Sequence, residues 1–194
     1  QALIRRTIPA RTFAELDPPL VVVAVDYQKG APVYFGTGAL RDVPLHDALY
    51  ASAALPVLFP PARIHGRVYV DGGVADPLPI EAAAEFGADL VIAVDVGSAG
   101  EDFEGLGPEH GLVAIHQRAA AIATAHLTIR TLRAWRGPPL VYVRPNVAGY
   151  SGFEFGATRE LIEEGYRAAR RALAHAPEVR RVLAAQTRPE PPGA

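Results

Sequence analysis

Residues 68–96 open with Val68-Tyr69-Val70, turn through Asp71-Gly72-Gly73-Val74-Ala75-Asp76-Pro77, and close with Leu90-Val91-Ile92-Ala93-Val94-Asp95-Val96. The apolar triplet reads as a short strand, and the glycine pair after it permits a tight turn. Asp76 before Pro77 reads as a helix N-cap with proline at the first helical position, opening a helix that runs to about Phe86 and is closed by Gly87. Leu90 to Val96 reads as a second fully apolar strand. Strand, helix and strand at this spacing predict crossover helices over a mainly parallel sheet, and therefore an α/β fold.

The flanking sequence extends the same pattern. Leu20 to Asp26 is a β-branched run between Pro18-Pro19 and a Gln28-Lys29-Gly30 turn, read as a strand buried on both faces, with a short strand at Val33 to Phe35 after it. Residues 45–54 carry Leu45, Leu49 and a run of alanines, so a helix is expected there, ending near Leu55 because Pro56 and Pro60-Pro61 force extended chain. Residues 97–109 read as a Gly-rich acidic surface loop. Leu112, Ile115, Ala119, Ile122, His126 and Ile129 then recur every three or four positions, as on one face of a long helix. Leu140 to Val143 reads as a third apolar strand. Ile162, Tyr166, Ala169 and Leu173 mark a last helix, with Glu163 and Arg167 paired four apart. The Pro-rich tail from Thr187 is expected to fray, and no internal repeat or linker divides residues 1–186.

Composition narrows the chemistry. The 194 residues are 49% hydrophobic and 21% charged, enough apolar material for a core without disulfides or metal clips. The absence of Cys excludes thiol catalysis, thiolate metal sites and redox switching, and fits a reducing, cytoplasmic setting. A net charge of −2 gives no general affinity for nucleic acid or anionic membrane. The longest aliphatic run, Leu20 to Val25, is far short of the roughly 20 residues of a membrane span.

The segment Ala51-Ser52-Ala53-Ala54-Leu55-Pro56-Val57-Leu58-Phe59-Pro60-Pro61, followed ten residues on by Asp71-Gly72-Gly73, resembles the patatin-like phospholipases, in particular the bacterial patatin-like acyl hydrolases. The likeness continues through Gly87 to Val96 and reaches the Glu160 to Tyr166 helix. It implies a three-layer α/β/α fold and hydrolysis of lipid acyl esters by a Ser-Asp dyad, with Asp71 as the base and Gly72 and Gly73 as its motif turn. Elementary chemistry agrees: a carboxylate at the end of a strand, with glycines that let substrate approach, can take a proton from a serine hydroxyl as it attacks an acyl carbon. Alone, Asp-Gly-Gly is more often a plain tight turn with a surface Asp; the surrounding motifs reverse that reading. Leu55, Val57, Leu58 and Phe59 are candidate walls of an acyl pocket, or ordinary core.

The family's nucleophile lies in a Gly-x-Ser-x-Gly elbow upstream of the aspartate, near an oxyanion loop, and no such elbow precedes Asp71. Ser98 has Val96 where the first glycine is needed, Ser151 lacks the second glycine, and Ser52 lies in the expected helix. With Gln1 first and no Met anywhere, the sequence is read as the C-terminal portion of a patatin-like domain over 1–186, its serine and oxyanion loop lying in an N-terminal portion outside this chain. The expected activity is that of a serine acyl hydrolase on lipid or fatty acyl esters, needing no metal or organic cofactor, without a transmembrane segment and peripheral at membranes. The rival is a non-catalytic lipid-binding or scaffold remnant of the same fold.

Other residues read as structural. Gly36-Thr37-Gly38 lacks the third glycine of a dinucleotide fingerprint, because Arg41 stands there. The six histidines show no metal-ligand spacing, and His126 reads as a hydrogen-bonded core residue. Asp26 and Asp95 share Asp71's strand-end position without its glycines, and Asp95 is the one expected near a pocket. Arg5, Arg6 and Arg11 read as a solvated face rather than a lipid-headgroup patch.

Overall fold

Strand β1 (Val22–Asp26) has neighbours on both sides. On one, β2 (Ala31–Phe35) runs antiparallel in register from Val22↔Phe35 to Asp26↔Ala31; on the other, β4 (Arg67–Asp71) pairs from Ala24↔Asp71 to Asp26↔Tyr69. The short β3 (Ala62–Ile64) pairs antiparallel to β4, giving the order β2-β1-β4-β3. This computed structural model describes residues 2–97, 109, 111–147, 150 and 155–186. The expected surface loop over 97–109 and the tail from Thr187 lie almost entirely outside the described residues.

The chain divides into two compact units, Gln1–Pro77 and Leu78–Ala194. In the first, the antiparallel sheet corrects the expectation of a mainly parallel one, and the cause is loop length. β1 and β2 are joined by four residues, Tyr27 to Gly30, and β3 and β4 by His65 and Gly66 alone; neither could accommodate a crossover. Asp26 fixes the first turn by accepting the backbone N–H groups of Gln28 (3.1 Å) and Lys29 (3.0 Å), and the Arg67 guanidinium donates to it at 3.0 Å. Helix α1 (Ala2–Thr7) and α2 (Leu45–Ser52) complete this unit's main elements. α2 turns Leu45, Ala48 and Ala51 inward, and its alanines let the helix approach β1 and β4 closely. Phe35 and Tyr69 meet edge to face with centroids 5.2 Å apart, a contact worth about 0.5–1.5 kcal/mol beyond the area it buries.

The second unit keeps the strand–helix–strand pattern. β5 (Val91–Val94) and β6 (Leu140–Val143) are parallel, with α4 (Leu112–Ala134) between them in sequence. The preceding helix, α3, spans Ile80–Glu85, and Gly87 leaves it at φ +86°. Helices α5 (Thr158–Ala174) and α6 (Pro177–Gln186) follow; Val141, Val143 and Ala168 share a small core, and Glu163 and Arg167 pair at 2.9 Å as expected.

Three expectations are corrected here. α3 does not begin at Asp76: its N-cap is Pro79, because Pro77 and Pro79 push the residues before them into extended backbone. β5 alternates, with Val91 and Ala93 buried and Ile92 and Val94 about half exposed. The stripe on α4 is a helical repeat but not a core face: Leu112, Ile115, Ile122 and Ile129 are exposed and Ala114 and Thr128 are the buried positions. His126 is likewise exposed rather than a core residue.

Candidate functional site

Strand β4 carries Asp71 to its end, where the backbone N–H of Asp71 donates to Ala54 O at 3.1 Å and ties the strand to the end of α2. Asp71 then caps a 3-10 turn, Gly72–Val74, its Oδ1 accepting the Gly73 N–H at 2.7 Å. Gly72 continues the register past Ala24↔Asp71 and lies flat against β1: a Cβ there would sit 2.6 Å from Val23 O. The turn therefore requires glycine at 72 for close approach, and the carboxylate is held by strand pairing behind it and by one amide in front.

The second carboxylate oxygen, Oδ2, has no hydrogen-bond partner among the described residues. Burial pushes the Asp71 carboxyl above its ordinary range, opposed only by the Gly73 N–H. Two other strand-end aspartates show the contrast. Asp26, almost fully buried, is held below the usual carboxylate range, first by the Lys29 N–H, with Arg67 and the Gln28 N–H adding to it against the desolvation penalty. Asp95, after β5, accepts the Gly97 N–H at 2.8 Å and the Tyr142 hydroxyl at 2.6 Å. Burial, then that bond, pushes the Tyr142 hydroxyl up to about 12. Of the three, Asp71 is the one with a carboxylate oxygen that lacks a hydrogen-bond partner among the described residues.

Asp76, expected as a helix cap, instead accepts the Tyr34 hydroxyl at 2.8 Å, an interaction across 42 residues that no local pattern announces. Leu55, Val57 and Phe59 are exposed and Leu58 is half-buried, on a turn closed by the Phe59 N–H to Leu55 O at 2.9 Å. Val57 has φ +72°, a left-handed conformation that costs a β-branched residue on the order of 1–3 kcal/mol and that sequence alone does not reveal. Thr37 Oγ1 donates to Tyr34 O at 2.9 Å, so Gly36-Thr37-Gly38 is a turn, as read from its missing third glycine. Ser52 ends α2; Ser98 and Ser151 lie outside the described residues. Among the described residues there is no cluster of three His, Cys, Asp or Glu able to hold a metal ion, and no helix is long and apolar enough to cross a membrane.

The motif turn and its supporting strands fall within a region, residues 1–84, that matches the family model described as patatin-like phospholipase. Over 93 residues the chain is 37% identical to an uncharacterized NTE family protein of Mycobacterium tuberculosis, a match covering 48% of this chain and 24% of that protein. It is 29% identical over 149 residues to the lysophospholipase NTE1 of Kluyveromyces lactis, covering 66% of this chain and 10% of the other. With the lysophospholipase NTE1 of Pyricularia oryzae it shares 31% identity over 135 residues, covering 60% and 9%. The chain thus spans about a quarter of the bacterial relative's length and about a tenth of the fungal ones'.

Proposed function

We propose that this chain is the C-terminal portion of a patatin-like domain, residues 1–186 with a tail at 187–194, and that it serves a serine hydrolase acting on lipid or other fatty acyl esters. One observation carries the reading: Asp71 is half-buried, with one oxygen fixed by the Gly73 amide and the other free among the described residues. In the mechanism, a serine hydroxyl supplied from outside this chain attacks the ester carbonyl as its proton passes to Asp71 Oδ2. The C–O bond to the alcohol breaks, the alcohol leaves with that proton, and an acyl-serine remains. Water then attacks the acyl carbon, again giving its proton to Asp71, and the fatty acid departs as the serine recovers its hydrogen. Backbone amides hold the oxyanion in both steps. The raised proton affinity of Asp71 suits the role, because a base works best when its pKa is moved toward the operating pH. Leu55, Val57, Leu58 and Phe59 would meet the acyl chain, and the protein would work in the cytoplasm at membrane surfaces.

The fungal relatives, which are lysophospholipases by name, lend support. Intact-mass spectrometry after treatment with a serine-directed fluorophosphonate tests the proposal. A covalent adduct on the protein or a co-purifying fragment, together with loss of ester hydrolysis in Asp71→Asn, is expected. No adduct and no hydrolysis in a preparation that joins this chain to the serine-bearing portion would overturn it in favour of a lipid-binding or scaffold remnant.

A further inference from the structure

A concavity lies in the first unit, between α1, the segment after it and the start of α2. It encloses about 650 Å³ and is lined by Arg5, Pro9, Arg11, Pro44 and His46. Its walls are fixed by backbone contacts: the Ile8 N–H donates to Ile4 O, and the Leu45 N–H to Arg11 O, both at 2.9 Å. His46 Nε2 lies 2.8 Å from Ile8 O; since a carbonyl only accepts, that nitrogen carries the proton and the ring is pinned at the cleft wall.

The charge of this lining is met only in part from within, by Asp47 beside Arg5 and by the Glu15 carboxylate, which feels the charge of Arg11. Glu15 directs its carboxylate to the Arg11 and Thr12 backbone N–H groups and the Thr12 hydroxyl, not to the Arg11 guanidinium. Among the described residues that guanidinium has no carboxylate bonded to it. Arg5 meets Asp47 at 3.4 Å, a long and solvent-exposed contact that an incoming anion can replace. Two guanidinium groups on separate segments thus face one cavity, with an imidazole beside them, in a chain whose net charge of −2 gives anions no general attraction.

We propose that this cleft binds a phosphate-bearing anion, its phosphate gripped by Arg5 and Arg11 and its organic remainder resting on Pro9 and Pro44. Paired guanidinium N–H donors match phosphate oxygens, and a tetrahedral dianion can engage two forks at once where a carboxylate is satisfied by one. The volume lies within the roughly 300–1,000 Å³ of small-molecule sites, so a bare ion would underfill it. The expected ligand is a phosphate ester, either soluble or as the headgroup of a lipid. The site stands apart from the hydrolase reading and does not depend on it.

The test is calorimetric titration of the full chain with inorganic phosphate and with glycerol phosphate at constant ionic strength, beside sedimentation with phosphatidylcholine vesicles with and without phosphatidic acid. Phosphate should bind the native protein and the Arg180→Gln control alike, and bind Arg5→Gln/Arg11→Gln about tenfold more weakly or not at all. Arg11→Gln alone serves if the double variant loses its native circular dichroism. Arg-dependent sedimentation with phosphatidic acid would assign the site to a lipid headgroup; Arg-dependent phosphate binding without sedimentation would assign it to a soluble ester. No phosphate binding by the native protein, or binding that the Arg variants leave unchanged, would overturn the proposal.

Discussion

Substituting Gly72 by Ala tests how the Asp71 turn is held. A Cβ at 72 would lie 2.6 Å from Val23 O, 2.9 Å from Val23 C and 3.1 Å from Val23 Cβ. Carbon pairs prefer about 3.5 Å, so the contact with Val23 C alone is short by about 0.6 Å. Two of those atoms are backbone of β1, which is paired on both edges and cannot yield without disturbing β2 or β4. Overpacking of this kind costs about 1–3 kcal/mol, and in a chain of this size each kcal/mol lowers Tm by about 2–4 °C. Gly72→Ala should therefore melt about 2–12 °C below the native protein. Gly73→Ala is the control: its Cβ would meet only the Asp71 Oδ1 carboxylate oxygen, at 3.0 Å, and a side chain can turn aside by a few tenths of an ångström. It should change Tm by less than about 2 °C, which is about 0.5 kcal/mol. Calorimetric or circular-dichroism melts of both variants decide the matter. Equal melting temperatures for the native protein and Gly72→Ala would refute the close approach of this turn to β1.

Asp71→Asn should lower ester hydrolysis in the intact protein by about 10²–10⁴-fold, the usual contribution of a general base. Its stability should behave in the opposite sense to that of a structural residue. Because the folded carboxyl binds its proton more tightly than the ordinary value of 3.8, native stability falls as pH rises through that range, so the Asn variant should melt no lower than the native protein at pH 7. Asp26→Asn should do the reverse. Its folded pKa lies below 3.8, so the stability that its charge provides is present above that value and fades as the solution is acidified; melts across pH should show the gap to native protein closing toward low pH. Gly137→Ala would place a Cβ 2.5 Å from the Trp135 ring, whose Nε1 donates to Pro138 O at 3.0 Å. The single tryptophan should swing toward solvent and its emission shift to the red; an unchanged spectrum would argue against this packing.

The strands with β-branched or aliphatic runs, at 22–26, 67–71, 91–94 and 140–143, were legible in the sequence to within a residue or two. Strand direction was not, because a buried run such as Val22 to Val25 looks the same beside a parallel or an antiparallel neighbour. The readable signal lay in the connections, since four residues between β1 and β2 permit only a hairpin. β3 escaped notice because it has three residues with Arg63 at its centre. α4 teaches a different lesson: a repeat of three and four residues establishes a helix but does not say whether the apolar side has a partner, and here Leu112 and Ile115 are exposed. At the candidate site, Asp71 and its glycines were readable as a motif. The strain at Val57, the Tyr34–Asp76 bond and the convergence of Arg5, Arg11 and His46 depend on long-range packing, and local sequence carries no trace of them.

The three strand-end aspartates are held in three different ways. At Asp26 the chain surrounds a buried carboxylate with two amides and a guanidinium, and its charged form is favoured. At Asp95 an amide and a tyrosine hydroxyl share the load. At Asp71 the fold withdraws water, which penalises the charge, and supplies one amide in return. A further donor near Oδ2 would relieve that penalty, as happens twice elsewhere in the same chain. It would also occupy the lone pair that a reacting hydroxyl needs. A residue selected for stability alone would be satisfied in the manner of Asp26. On the proposed function, the one aspartate that stands before two glycines keeps the less satisfied arrangement because its free oxygen is needed for proton transfer. Adding a donor within reach of Oδ2 should therefore raise Tm and lower hydrolysis together, whereas a purely structural Asp71 would gain stability with no change in rate.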